Sequence, residues 1–491
     1  MNAYSRRGAC PALSAPMQTG DGLLVRLNPV TGGLPPALLV GLCESALRHG
    51  KGIMEVTARG SLQIRGLTTQ SARLLAAEVD ALGIAIRTGV PVETGPLAGI
   101  DPHEIADPRP LAERIRAAVE DAGLAPRLGP KVSVVVDGGG QLTLDAVTAD
   151  VRLKAVRSGV GVQWQVSVAG DGQSARLLVA AEEDTARDVA VAVLRMVTEK
   201  GRESRARDLS ERQLVSLAGW LCLTSLREAP PSVLPDISPS RGEITMSPTV
   251  SPISDVVKEK PESKLPISPP DGEMSGRTEG GASRRPIGLF SLAGDIFTFG
   301  IGLPYGSMPA DKIIGLAQKA LALGTSEIRL APGRALLFLG QPTEANQSLH
   351  HTAATLGFVT SPTDPRTRIA ACPGAPACAS GRIATRDIAE AIATKNADIL
   401  DFTLHVSGCA KGCANPGPAA LTIVGGENGA GLVVNATAKS LPAGYRPGYD
   451  APRGFSRVAA MIRGARHQGE TAAACLTRLG TAAIAEMYQQ E

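Results

Sequence analysis

Four of the eight cysteines stand in two tight pairs, and their spacing carries the most specific chemistry in the sequence. Cys372 and Cys378 bracket Pro-Gly-Ala-Pro-Ala, a C-x5-C pair; Cys409 and Cys413 bracket Ala-Lys-Gly, a C-x3-C pair. Four thiolates of this kind suit an iron–sulfur cube or a zinc ion. Structural zinc sites favour spacings of two to four residues, so the C-x5-C pair weighs toward the cluster. Pro373, Gly374, Pro376, Gly408 and Gly412 surround the pairs. Such loops let backbone N–H groups approach sulfur and stabilise a charged thiolate. Eight cysteines in 491 residues are too few for a disulfide framework. Cys10, Cys43, Cys222 and Cys475 lack paired spacing, and Cys43 lies with Leu39 and Leu42 on an apolar helix face that reads as core.

The elements that position these loops read as two copies of one plan. A displacement of 274 positions lays Gly20-Asp21 on Gly294-Asp295, Pro35 on Pro309, Gly50 on Gly324 and Gly66 on Gly340. Apolar positions follow: Leu39 with Ile313, Leu42 with Leu316, Met54 with Ile328, Leu62 with Leu336 and Ile64 with Phe338. Each copy reads as a strand, a helix opened by its proline, then two strands, which predicts a pseudo-twofold molecule. A larger α+β segment follows each copy. In the first, Asp107 to Gly123 is helical by the spacing of Leu111, Ile115 and Val119. Lys131 to Asp137, Gln163 to Val168 and Ala175 to Ala180 read as strands, and Thr185 to Val197 as a helix.

Domains are expected at 14–75 (half-unit 1), 90–228 (α+β domain 1), 287–345 (half-unit 2) and 358–491 (α+β domain 2, with the paired cysteines). Residues 229–286 read as a Pro/Ser-rich disordered linker, because sparse apolar residues cannot offset ordering entropy. The Gly138-Gly139-Gly140 run reads as a turn rather than a phosphate loop, since no helix-opening pattern follows.

Composition excludes other classes. The formal charge of +3 argues against a strongly basic nucleic-acid binder, and aromatics at 3% argue against a base-stacking surface. No stretch has the ~20 apolar residues a membrane span needs, and no apolar core of a signal peptide follows the polar start. These features predict a cytoplasmic protein with neither nucleic acid nor membrane as partner. No dinucleotide fingerprint is visible, so electrons are expected from a separate donor protein or reductase, with NAD(P)H as an indirect source.

The cysteine pattern, with His405-Val-Ser-Gly-Cys409-Ala-Lys-Gly-Cys413-Ala-Asn-Pro416, resembles the sulfite and nitrite reductase superfamily. So does Gly95-Pro96-Leu97-Ala98-Gly99-Ile100-Asp101-Pro102. The resemblance implies an internally duplicated α+β fold, with two ferredoxin-like half-units and two larger α+β domains. It implies a [4Fe–4S] cluster on Cys372, Cys378, Cys409 and Cys413, with Cys413 also reaching sirohaem iron. The superfamily's anion pocket resembles a cage of two arginines and two lysines. Thr57-Ala58-Arg59 fits the first arginine, and Pro130-Lys131-Val132-Ser133 fits the lysine strand with Lys131, while Ser133 replaces the second lysine. Val90 stands where the second arginine belongs, and Arg87 is out of register. A half-missing cage argues against sulfite or nitrite as substrate.

The run from Arg7 to Arg26 is similar to the precorrin-3B synthase family, a branch of that superfamily. That resemblance implies a monooxygenase that hydroxylates precorrin-3A at C20 with molecular oxygen and closes a γ-lactone, in aerobic cobalamin biosynthesis. Precorrin-3A and sirohaem are both reduced, methylated tetrapyrroles bearing carboxylates, so one basic cleft suits either. Two versions stay open: the substrate fills the sirohaem site beside a separate non-haem iron, or sirohaem is bound and the substrate sits above it. The rival readings are an assimilatory sulfite or nitrite reductase and a non-catalytic tetrapyrrole carrier. Arg59 and Lys131 are the candidate catalytic residues, each otherwise a solvated strand residue. Arg382 and Arg386, four apart on an expected helix, stand as macrocycle contacts or surface charge. His405 reads as a packed strand histidine rather than an iron ligand.

Overall fold

Pro35 and Pro309 each sit just ahead of an apolar-striped segment, and a helix begins after each: Pro36–His49 and Ala310–Ala322. The computed structural model describes residues 11–30, 32–159, 161–215, 217 and 284–490. The linker expected at 229–286 therefore lies, up to residue 283, outside the described residues, as do Cys10 and Cys222. The two helices bury Leu39, Leu42, Cys43 and Ala46 on one and Ile313, Leu316, Ala317 and Ala320 on the other. They pack on each other within a single core.

Each half-unit forms a five-stranded antiparallel sheet. The first runs in the order Met17–Thr19, Gly22–Leu27, Leu62–Leu67, Ile53–Val56, Ser307–Pro309. The second runs Gly288–Ser291, Phe297–Gly302, Ala335–Leu339, Glu327–Ala331, Gly33–Leu34. The outermost strand of each sheet thus comes from the other copy: Met308 lies opposite Met54, and Leu34 opposite Ile328. The exchange covers an edge that would otherwise expose unpaired backbone groups.

The repeat continues beyond the expected ends at 75 and 345. Helices Thr69–Ala81 and Ala345–Thr355 follow, with Leu75 and Leu349 both fully buried at the same displacement. The first is opened by a reciprocal cap between Thr68 and Ser71. Its narrow apolar stripe is a weaker signal than that of Pro36–His49, which explains the short boundary.

The two larger domains share one strand plan. In the first, Val92–Thr94, Val134–Asp137 and Ala149–Ser158 are parallel neighbours, and Gly161–Gly170 and Arg176–Ala181 continue antiparallel. In the second, Ile369–Ala371, Leu404–Ser407 and Ala419–Gly426 are parallel, and Gly429–Ala436 and Gly444–Arg446 continue antiparallel. Helices Arg109–Asp121 and Thr385–Lys395 make the first parallel crossover in each. Parallel strands place the loops after the first and second strands side by side at one sheet edge, the usual place for a ligand. Ala149–Ser158 is missing from the sequence reading, because Asp150, Arg152, Lys154 and Arg157 interrupt its apolar run. The strand expected from Lys131 begins only at Val134.

Because both helices share one core, truncating Leu42 to Ala is expected to cost about 3 kcal/mol. Urea denaturation followed by far-UV CD checks this: the midpoint falls, and the shared core keeps the loss in one transition.

Candidate active site

The paired cysteines occupy the two adjacent loops at the edge of the second larger domain. Cys372 follows strand Ile369–Ala371 and Cys409 follows Leu404–Ser407. The Gly408 N–H donates to Cys372 Sγ at 3.2 Å. A Cβ at Gly408 would come within 3.1 Å of Gly374 Cα and 3.2 Å of Gly381 Cα, so only glycine lets the loops meet this closely. Cys413 is exposed while Cys372, Cys378 and Cys409 are partly covered. Its thiol is still pushed above the ordinary range, by desolvation and by the charges of Cys372, Cys409 and Cys378. The four sulfurs therefore share one electrostatic neighbourhood. Among the described residues no three His, Cys, Asp or Glu side chains converge on a single ion. The donor chemistry and spacing of the four thiols fit a thiolate-bound group.

A buried charge network holds the first cysteine loop against half-unit 1. Arg65, 5% exposed, donates to the Ala377 carbonyl at 2.6 Å and pairs with Asp21 at 3.0 Å and Glu55 at 3.4 Å. Glu55 also pairs with Arg386 at 2.5 Å. Burial raises the Asp21 pKa, but the hydrogen bonds from Arg65 and Thr19 outweigh it, and the carboxyl ends below its usual range. Arg386 is thus committed to Glu55. Arg382 is exposed and lies ahead of the helix, which begins at Thr385, where the Thr385 hydroxyl donates to the Cys372 carbonyl. The shared helix face expected for the two arginines does not form. His405 is a fully buried strand residue, as expected, and neither ring nitrogen has a partner. Burial and the Arg334 charge push its pKa down to about 4, so the ring is neutral. Its neighbour across the sheet, Thr422, also has an unpartnered hydroxyl.

A second feature is a cavity of about 330 Å³ between half-unit 1 and the first larger domain. Five arginines line it: Arg59, Arg87, Arg109, Arg116 and Arg329. Four have acidic partners: Arg59 with Glu93 at 2.7 Å, Arg109 with Asp107 at 2.8 Å, Arg116 with Glu113 at 2.5 Å and Arg329 with Glu327 at 3.1 Å. Arg87 donates to the Val30 carbonyl at 2.6 Å and makes no ion pair among the described residues. Burial and the nearby Arg116 charge pull its pKa down, outweighing the opposing charges of Glu113 and Glu93.

The structure therefore brings Arg59 and Ser133 together, with Arg59 Nη2 to Ser133 Oγ at 3.0 Å. Lys131 is exposed and is not among the residues lining the cavity. Arg87, out of register in the sequence, reaches the cavity because its backbone N–H bonds Asn28 O in a loop crossing. Arg109 and Arg116 were readable as seven residues apart on one helix face; Arg329 comes from the other half-unit and had no such signal.

Two hairpin tips join the cavity to the cysteines. The Gly333 N–H donates to Ala58 O at 2.9 Å, and Pro332 lines the cavity. Arg334, next in the chain, points Nη2 at the Ala414 carbonyl at 3.4 Å, one residue beyond Cys413.

Comparison with known proteins bears on the family and the fold. Residues 15–82 match the family described as nitrite/sulfite reductase ferredoxin-like half domain. A precorrin-3B synthase from a Sinorhizobium species is 36% identical over 490 residues, 99% of this chain and 96% of that protein. The structure of Mycobacterium tuberculosis NirA protein superposes with a TM-score of 0.66, over 94% of this chain and 84% of that one, at 17% identity, a likeness of fold.

Glu104, whose carboxylate accepts from the Gly99 N–H at 2.8 Å, yields a pH prediction. Burial, with Asp101 and Asp107 nearby, raises its pKa from 4.5 to about 7 despite that hydrogen bond. The folded state then holds a proton that the unfolded chain releases, so this contribution is full below 4.5 and is lost as pH rises through 7. Stability of the native chain should fall across that window, and Glu104→Gln should flatten the fall in denaturation curves taken at pH 4.5 to 8.

Proposed function

Since this chain belongs to the precorrin-3B synthase family, we propose that it hydroxylates precorrin-3A at C20 with molecular oxygen and closes the γ-lactone. In the net reaction one atom of oxygen enters the substrate and the other leaves as water, with two electrons and two protons taken up. The observation that carries the reading is an arginine-lined cavity bordered by Pro332, with Arg334, two residues on, reaching the carbonyl next to Cys413.

Arg87 anchors a carboxylate of the macrocycle, as a cavity arginine with no ion pair among the described residues. Arg116 and Arg329 line the cavity beside it, and the buried Nε of Arg116 has no hydrogen-bond partner among the described residues. The cavity volume of about 330 Å³ suits one edge of a tetrapyrrole. Cys372, Cys378, Cys409 and Cys413 hold a [4Fe–4S] cluster, which supplies electrons one at a time when bound. Arg65 keeps the Cys372–Cys378 loop seated through Ala377 O. The exposure of Cys413 favours the version in which sirohaem would be held next to that residue. Electrons arrive from a separate donor protein.

Anaerobically reduced protein mixed with precorrin-3A and oxygen should yield a product heavier by one oxygen atom. Recovery of unchanged substrate from protein that has bound it contradicts the proposal. Arg87→Gln should weaken precorrin-3A binding about tenfold, the worth of one charge-assisted contact, as read by equilibrium dialysis. Cys372→Ala should lose iron and acid-labile sulfide; normal contents of both would remove the cluster from the proposal.

A further inference from the structure

The same cavity contains an internal anion. Glu93, on the outer strand Val92–Thr94 of the first larger domain, faces Arg59 on the hairpin tip of half-unit 1. Arg59 Nη2 meets Glu93 Oε2 at 2.7 Å and Arg59 Nε meets Oε1 at 3.3 Å. This is the fork-to-fork geometry in which a free carboxylate or small oxyanion engages a guanidinium. Two further Arg59 donors are taken, one on Nη1 by Thr148 O at 2.7 Å and the second on Nη2 by Ser133 Oγ at 3.0 Å. The side chains are 35% and 24% exposed, so the pair borders the cavity and is partly sheltered from water.

We propose that Glu93 is a specificity residue: it fills the anion seat on Arg59, excludes small oxyanions from the cavity, and leaves Arg87 as the seat for a ligand carboxylate. A dissolved anion would have to displace a carboxylate tethered in place and leave it unpaired beside the incoming charge. Tethering gives Glu93 an effective concentration that millimolar solutes do not match. A large ligand does not need that seat, because Arg87 is free of acidic partners and lines the same cavity. The inference rests on the reading of this cavity as the ligand site, and it adds the class of ligand the cavity refuses.

The test is calorimetric titration of the full chain with sulfite and with inorganic phosphate. The native chain should bind neither at millimolar concentration. Glu93→Ala should gain at least about tenfold in affinity for one of them, and Glu93→Ala with Arg59→Gln should lose the gain. Glu93→Gln, which keeps the shape and drops the charge, should show a smaller gain and serves if the alanine variant fails to fold. Oxyanion binding by the native chain equal to that of the variants overturns the proposal. So does a gain that survives loss of Arg59, or no gain in either folded variant. The titration reads oxyanion binding and needs neither precorrin-3A nor turnover, so failure of the oxygenation reaction leaves its outcome interpretable. Conversely, turnover of precorrin-3A by a protein whose variants gain no oxyanion affinity sinks only this inference.

Discussion

The reciprocal exchange of one strand between the two half-units is the constraint from which the rest of the site follows. Ser307–Pro309 completes the first sheet beside Ile53–Val56, and Gly33–Leu34 completes the second beside Glu327–Ala331. Neither sheet has its full edge without the other copy. The exchange fixes the two copies about a pseudo-twofold relation and brings their equivalent hairpin tips into contact. A Cβ at Gly60 would approach the Ala331 carbonyl carbon to 3.0 Å, and Gly333 bonds Ala58. One tip lines the arginine cavity with Arg59; the other carries Arg334 to the residue after Cys413. The site thus crosses between copies that are far apart in sequence because the copies cannot be pulled apart in the fold.

The duplicated larger domains show what the cysteines replace. In the first domain, the two loops at the ends of the parallel strands are braced by carboxylates. Asp101 accepts from Gln141 N at 2.6 Å and Gln141 Nε2 at 3.1 Å, bridging one loop to the other. Asp137 accepts from Leu144 N at 2.6 Å and Gly139 N at 2.9 Å. In the second domain the equivalent loops carry Cys372 and Cys378 on one and Cys409 and Cys413 on the other. Their direct bridge is the Gly408 N–H to Cys372 Sγ contact, with Arg382 N–H to Gly408 O beside it. The same backbone plan supports hydrogen-bonded carboxylates in one copy and a thiol cluster in the other. The buried Arg65–Asp21–Glu55–Arg386 network then secures the thiol-bearing loop from outside its own domain.

Much of this was legible in the sequence, for physical reasons that name particular residues. The repeat was visible because Pro35, Gly50 and Gly66, with Pro309, Gly324 and Gly340, sit at helix starts and tight turns where few residues substitute, and Gly66 and Gly340 both have positive φ. The cysteine loops were visible because thiol spacing is a local property. Long-range pairing was not visible. Nothing near Arg59 in sequence points to Glu93, 34 residues on, and nothing near Arg386 points to Glu55, 331 residues back. The register argument that set Arg87 aside assumed a fixed spacing to Pro96, but a loop delivers a side chain by its path, and the bond to Asn28 O sets that path. The chain's family membership and the fold likeness agree with the duplicated plan, while Lys131, chosen from a motif, lies on the surface.

The central claim is that the arginine cavity and the four thiols form one site for a carboxylated tetrapyrrole. The most direct test is electron paramagnetic resonance of anaerobically reduced protein with and without bound precorrin-3A. The account predicts an iron–sulfur signal whose g-values shift when the tetrapyrrole binds, because Pro332 lines the cavity and Arg334, two residues on, reaches the carbonyl next to Cys413. An unchanged signal from protein shown to have bound precorrin-3A would contradict it, as would the absence of any iron–sulfur signal.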